Sequence, residues 1–159
     1  MSGILKVGGS ELINDNGGSG ALQWGSGVPT RSIIQCVTTQ GYGTISTNQS
    51  SAQPTGIIVT LNALKSTSSI IVIMFHGGEQ DMSAVSYQNI SFYHSINGAA
   101  YSAIPNSNSS VYKGSTADSR FAIPRIFSYN PNTTSTVAIQ PYFHANTGTM
   151  WLCKADDMY

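Results

Sequence analysis

Asn89-Ile90-Ser91-Phe92-Tyr93-His94-Ser95-Ile96-Asn97-Gly98 reads as a strand running into a tight turn. Aromatic and β-branched residues favour a pleated, half-buried backbone. Asn-Gly then supplies the two positive-φ positions of a two-residue hairpin loop and is the strongest hairpin signal in the chain. Residues 99–104 are therefore expected to return antiparallel. The same pattern repeats outward from this hairpin. On its N-terminal side, strands are expected over residues 32–39, 44–46 and 57–61, separated by Gly41-Tyr42-Gly43 and a polar loop over 48–55. Ile70-Ile71-Val72-Ile73-Met74-Phe75 is apolar on both faces, which predicts a central strand covered on both sides and ended by Gly77-Gly78. Residues 80–85 are expected to hold one turn of helix or none.

On the C-terminal side, residues 105–118 read as a long polar loop. Strands are expected over 121–129, 135–144 and 149–154. Pro124 should place its strand at an edge or a bulge, and Pro141 suggests a bulge in the next one, because proline cannot donate to a ladder. Eight to ten short strands with turn signals every 8–12 residues predict an all-β chain. No ten-residue segment carries a capped 3.6-residue apolar period. The expected fold class is an antiparallel β-sandwich of the jelly-roll type.

The first 30 residues differ. Short apolar pieces, Ile4-Leu5-Lys6-Val7 and Ala21-Leu22-Gln23-Trp24, are punctuated by glycine and cannot form a core alone. Residues 1–30 are expected to be a short extended arm, and residues 31–159 the sandwich knob. Three such arms winding together would bury Ile4, Leu5, Val7, Leu12, Ile13 and Leu22.

Composition narrows the function. Only 9% of the 159 residues are charged and the formal net charge is zero, against roughly 25% charged in an ordinary domain. A scattered Lys and Arg set gives no electrostatic footprint for nucleic acid and no polybasic patch for anionic lipid. Residues 1–20 lack the basic and apolar regions of a signal peptide, and no apolar run is long enough to cross a bilayer. Cys36 and Cys153 sit in strand-like runs and read as buried free thiols, with a disulfide between terminal strands as the alternative.

No catalytic constellation stands out. HExxH, G-x-S-x-G and P-loop patterns are absent, and Gly25-Ser26-Gly27 and Gly41-Tyr42-Gly43 lack the rest of a dinucleotide fingerprint. His76-Gly77-Gly78-Glu79 sets a carboxylate near an imidazole without a nucleophile. Asp156-Asp157, and Glu79 with Asp81, fall short of the oxygens calcium requires. The expectation is a protein that is no enzyme and takes no metal or cofactor. Each histidine follows an aromatic residue (Phe75-His76, Tyr93-His94, Phe143-His144), so the histidines are expected to point outward if the aromatic rings point inward. Tyr42, Tyr101, Tyr112, Tyr129 and Trp24, in or beside loops rich in Asn, Gln and Ser, suit a flat uncharged ligand such as a glycan, or else pack at strand ends or between subunits.

Met1-Ser2-Gly3-Ile4-Leu5-Lys6-Val7, then Gly25 to Gln35, then Val59 to Val72 resemble the tail-fibre and virion structural proteins of phages, particularly marine phages. The resemblance covers the N-terminal half; the C-terminal half matches in composition and strand spacing. It implies a homotrimeric jelly-roll knob of the tumour-necrosis-factor-like kind on a fibre or spike. The short arm implies a short one. The expected localisation is the virion, and the expected partners are two further copies, other virion proteins and a host-surface glycan, with no nucleic acid and no membrane insertion. Attachment to the particle is expected from Ile4, Leu5, Val7, Leu12 and Ile13. Receptor binding is expected from the loop over 105–120, at Tyr112, Lys113, Asp118 and Arg120. The alternatives are a capsid decoration protein without receptor binding and a lectin-like protein unrelated to virions; a depolymerase ranks last.

Overall fold

A computed structural model describes residues 4–7, 10–14, 23–24, 35–41, 43–115 and 124–153. The chain divides into two compact units, Met1–Cys36 and Val37–Tyr159. In the first, β1 (Ile4–Val7), β2 (Ser10–Asn14) and β3 (Gln23–Trp24) form an antiparallel meander, with a register shift between Leu5 and Lys6. The residues expected to form the arm are thus paired with one another as strands.

The second unit is an all-β body of antiparallel sheets. Its strands are β4 (Ile45–Thr47), β5 (Gln53–Pro54), β6 (Val59–Leu61), β7 (Ile71–His76), β8 (Gln80–Met82), β9 (Ser86–Ile96), β10 (Ser102–Ala103), β11 (Ser109–Lys113), β12 (Pro124–Tyr129), β13 (Val137–Ala145) and β14 (Met150–Leu152). The spine is the β9–β13 ladder, which runs unbroken from Val137↔Ile96 to Ala145↔Gln88. The free edge of β9 is covered in two pieces, by β10 and β11. The free edge of β13 is covered by β5 and β6.

Alternation along the ladder gives the sheet two faces. Ile90, Phe92, Val137, Ile139 and Phe143 share one face and are buried. Two smaller sheets pack on it. The ribbon β7–β12 contributes Ile71 and Ile73 beside Val137 and Ile139, and its Phe75 and Phe127 rings pack on Phe92. The sheet β4–β14–β8 contributes Met82, Met150 and Leu152 beside Ile90, Phe143 and Ala145.

The hairpin forms as the sequence predicts. Asn97 and Gly98 both have positive φ (52° and 76°), and the Ala99 N–H donates to the Ile96 carbonyl at 3.1 Å. Pro124 opens β12, where a missing donor costs nothing. Pro141 makes no bulge. Its carbonyl accepts from the Thr55 N–H at 3.0 Å, so its missing N–H faces the break between β5 and β6, where the ladder has no acceptor waiting.

The matching break, between β10 and β11, lies beside Phe92. Here a side chain replaces a strand. Ser107 Oγ accepts from the Phe92 N–H at 3.0 Å and donates back to the Phe92 carbonyl at 3.1 Å. Ser107 is delivered by a turn over Ile104-Pro105-Asn106-Ser107. Proline sits at its second position and Asn106, at φ 59°, at its third, and the Ser107 N–H closes it onto the Ile104 carbonyl. That is a type II turn with its preferred residues.

Several expectations are corrected. Residues 105–118 are not one loop, because 109–113 form β11, whose two leading serines, opposite Ile90 and Asn89, give it the composition of a loop. Residues 80–82 are a strand, held by β14. Residues 35–39 carry no ladder among the described residues, so they are not a strand, and Cys36 is exposed rather than buried. Cys36 and Cys153 are both free. β7 is not covered on both sides. Among the described residues it pairs with β12 alone, and its outer face, Ile70, Val72 and Met74 with Ile126, is 60–78% exposed. Apolarity on two faces marked a strand correctly, but the second face meets solvent within the single chain.

Ser107→Ala should strand a buried N–H beside Phe92 and cost about 1–3 kcal/mol. Urea denaturation should show a lower midpoint with an unchanged slope; an unaltered midpoint would mean the hydroxyl is not the ladder's substitute.

Candidate functional site: an uncharged tyrosine face

The second face of the spine is polar and aromatic. β9 contributes Tyr87, Asn89, Ser91, Tyr93 and Ser95; β13 contributes Ala138, Gln140, Tyr142 and His144; β11 adds Ser110 and Tyr112. No formally charged residue stands at these positions. Tyr93 and Tyr142 are diagonal neighbours across the ladder, and their rings stack with centroids 3.8 Å apart and 21° between planes. Tyr101 lies tilted at 47° to Tyr142, with ring centroids 6.4 Å apart. Burial first, then the neighbouring phenols of Tyr93 and Tyr101, push the Tyr142 hydroxyl above its ordinary range. At the other end Tyr87 and Tyr112 form a second, exposed pair at 4.9 Å. Between the pairs, Ser110 Oγ donates to Asn89 Oδ1, and Asn89 Nδ2 donates to Asn146 Oδ1 at 3.1 Å.

A groove of about 320 Å³ opens on this face. Ser91, Tyr93 and His144 line it from the strands, and Pro105, Asn106, Ser107 and Asn108 from the turn. The Ser107 clamp on Phe92 fixes this wall to the sheet. Burial holds the His144 imidazole below its ordinary range, so the ring is neutral at pH 7 and the groove carries no charge.

The residues expected to bind a receptor separate. Tyr112 is exposed on the face just described. Lys113 is not available: it is buried, and its ammonium donates to Asp81 Oδ1 at 2.8 Å and to the Met82 carbonyl at 2.7 Å. One residue along a strand reverses the side chain, so Tyr112 turns out and Lys113 turns in. The same pair removes Asp81 from any cation site with Glu79. Asp118 and Arg120, with Tyr42 and Asp156-Asp157, lie outside the described residues. Ile4, Leu5 and Val7 fall on β1, and Leu12 and Ile13 on β2.

The histidines also separate. His76 and His144 face outward behind inward Phe75 and Phe143, as expected. His94 is reversed. It lies on the inner face, where its Nδ1 is 3.1 Å from the Tyr129 hydroxyl, and it is Tyr93 that faces out. Tyr129, read from sequence as a loop aromatic, packs inside beside Phe127 and His94. Among the described residues no three His, Cys, Asp or Glu side chains come together closely enough to hold a metal ion. Tyr93 and Tyr142 were missed because they sit in mid-strand. The available signal was parity: Ser91 and Tyr93, and Tyr142 and His144, alternate with the buried Phe92 and Phe143.

The fold and this face define an antiparallel β-sandwich module with a neutral, aromatic-lined surface. No protein-family model, no curated protein and no solved structure matches the chain.

Removing one partner of the Lys113–Asp81 pair leaves a charge buried and unpaired. Lys113→Ala should cost about 3–5 kcal/mol, while Lys113→Met combined with Asp81→Leu should recover most of it. Chemical denaturation of the three proteins checks this ordering.

Stability should also fall at both ends of the pH scale. Burial lowers the pKa of His94 and His144 from 6.5, so below that value the unfolded chain binds protons that the folded chain refuses, and stability drops as pH falls below about 6.5. Burial pushes the Tyr129 hydroxyl from 10 up to about 12, so stability drops as pH rises through that window, where only the unfolded chain ionises. Thermal melts across pH should show a plateau from about 7 to 9, with the acid limb flattened in His94→Gln, His144→Gln.

Proposed function

We propose that the chain is a structural virion protein of a phage, a short homotrimeric fibre or spike. The first compact unit attaches it to other virion proteins, and the sandwich body, a jelly-roll knob in this reading, faces outward toward a host-surface glycan. The role needs no bond-making step. The observation that carries it is the outer face of β7–β12. Ile70, Val72, Met74 and Ile126 form one apolar strip, 60–78% exposed, the most exposed large aliphatic side chains among the described residues. Contiguous apolar patches of this kind mark protein–protein interfaces. Three copies meeting around a threefold axis, each strip packed against its neighbours, would cover it, and most soluble oligomers are closed homo-oligomers of cyclic or related symmetry. The virion setting rests on the resemblance of residues 1–7, 25–35 and 59–72 to phage fibre proteins.

Light scattering should give a mass of three chains at micromolar concentration; a monomer there would sink the proposal. Met74→Lys, at the centre of the strip, should weaken association about 30-fold, the size of a 2 kcal/mol interface loss. Removal of residues 1–36 should leave a folded body that no longer joins particles. If the truncated protein is still incorporated, the first unit is not the anchor.

A further inference from the structure

We infer that the tyrosine face of β9 and β13 is a binding site for a neutral oligosaccharide, laid along β9 from the Tyr87–Tyr112 pair to the Tyr93–Tyr142 pair. This deepens the proposed function, resting on its outward-facing knob, and moves recognition from the loop over 105–120 to a sheet face with that loop's first turn as one wall.

Four observations combine. The face presents exposed or half-exposed tyrosine rings at both ends. A pyranose ring lays its C–H face on such a ring and leaves its hydroxyl edge free for hydrogen bonds. The stretch between the two pairs offers Ser91, Ser110, Asn146 and the groove wall of Asn106 and Asn108, which donate and accept without charge, with the buried Asn89 holding Ser110 and Asn146 in place from beneath. Amides and hydroxyls of this kind match the alternating donors and acceptors of sugar hydroxyls. From residue 87 to residue 93 the strand advances about 20 Å, the length of a short oligosaccharide rather than a single sugar. The groove, at about 320 Å³, lies at the small end of the roughly 300–1,000 Å³ of ligand sites, which suits one anchored unit of a longer chain.

Charge decides the class of sugar. A sialylated, sulfated or uronic-acid glycan calls for a cation, and among the described residues this face has none. Lys113, the nearest lysine in sequence, is turned inward and paired with Asp81. The face is also pre-formed. The Tyr93–Tyr142 stack fixes the aromatic wall, and Ser107 fixes the turn wall, so little ordering is left for binding. It stands on the opposite side of the sandwich from the apolar strip of β7–β12, because the ribbon packs on the other face of the same sheet. A trimer closed through the strip would leave it open.

The test is a printed array of neutral and acidic oligosaccharides probed with the labelled full chain, followed by titration of the bound glycans against variants. Binding confined to neutral oligosaccharides is expected. Tyr93→Ala should weaken it about tenfold, and Tyr112→Ala, at a site exposed enough to leave folding intact, about three- to tenfold for the longer glycans only. Met74→Lys, on the far side, should leave the affinity for a single glycan unchanged. No binding to any neutral glycan, binding to acidic glycans alone, or full affinity in both tyrosine variants would overturn the inference. Its fate is separable from that of the virion reading. Glycan binding by a chain that never enters particles would sustain the site and sink the virion role. Particles that carry Tyr93→Ala, Tyr112→Ala and adsorb normally to their host would do the reverse.

Discussion

The nine-pair ladder between β9 and β13 is the constraint on which the rest of the body depends. Every other sheet is defined by how it covers one of the ladder's faces or edges. Its parity puts Phe92 and Phe143 on one side and Tyr93 and Tyr142 on the other, so a slip of one residue would exchange a core for a surface. Two local features hold the register. The Asn97-Gly98 turn ends β9 at one fixed residue, and the Asn97 N–H reaches across to the Thr136 carbonyl just before β13 begins.

The ladder is long and its flanking strands are short, so both edges contain a gap where backbone groups lack a strand partner. The chain resolves the two gaps differently. On the β13 edge it removes the donor, by using proline at 141. On the β9 edge it keeps the donor of Phe92 and brings up the hydroxyl of Ser107. The interior tolerates further polarity nearby. The Lys113–Asp81 pair is satisfied by its own geometry, whereas the amides of Gln80 and Gln88, fully buried, have no hydrogen-bond partner among the described protein groups.

Much of the architecture was legible in sequence: the all-β class, the hairpin at 97–98, strands over most of 89–96 and 135–144, and the ending of β7 at Gly77-Gly78. Those segments carry their signal locally, in turn chemistry and alternation. The losses were of another kind. Ser109-Ser110-Val111-Tyr112-Lys113 has loop composition and becomes a strand only because β9 offers it an edge. Ile70 to Phe75 shows that the segment is a strand, but periodicity has no information on which neighbours cover its two faces. The tyrosine face was half legible. Loop aromatics pointed toward a flat, uncharged ligand, and Tyr101 and Tyr112 do belong to that face. Its centre, Tyr93 with Tyr142, needed the pairing of two strands 50 residues apart before the rings could be seen as one surface. The side taken by His94 stayed open for the same reason, since either of two adjacent residues can take the inner side until the register is known.

The body is chemically two-sided: tyrosine and amide on one broad surface, bare aliphatic carbon on the other. In an assembly closed through its aliphatic side, that asymmetry would turn three identical tyrosine surfaces away from the symmetry axis. Each would meet a different stretch of a polysaccharide coat. Contacts too brief to hold a particle singly would then act in parallel, with the second and third engagements made at high effective concentration once the first has formed. A surface without charge has little long-range pull on a cell, but salt barely screens it. Adhesion of this kind would depend on how many copies touch at once and hardly at all on the ionic strength of the surrounding water.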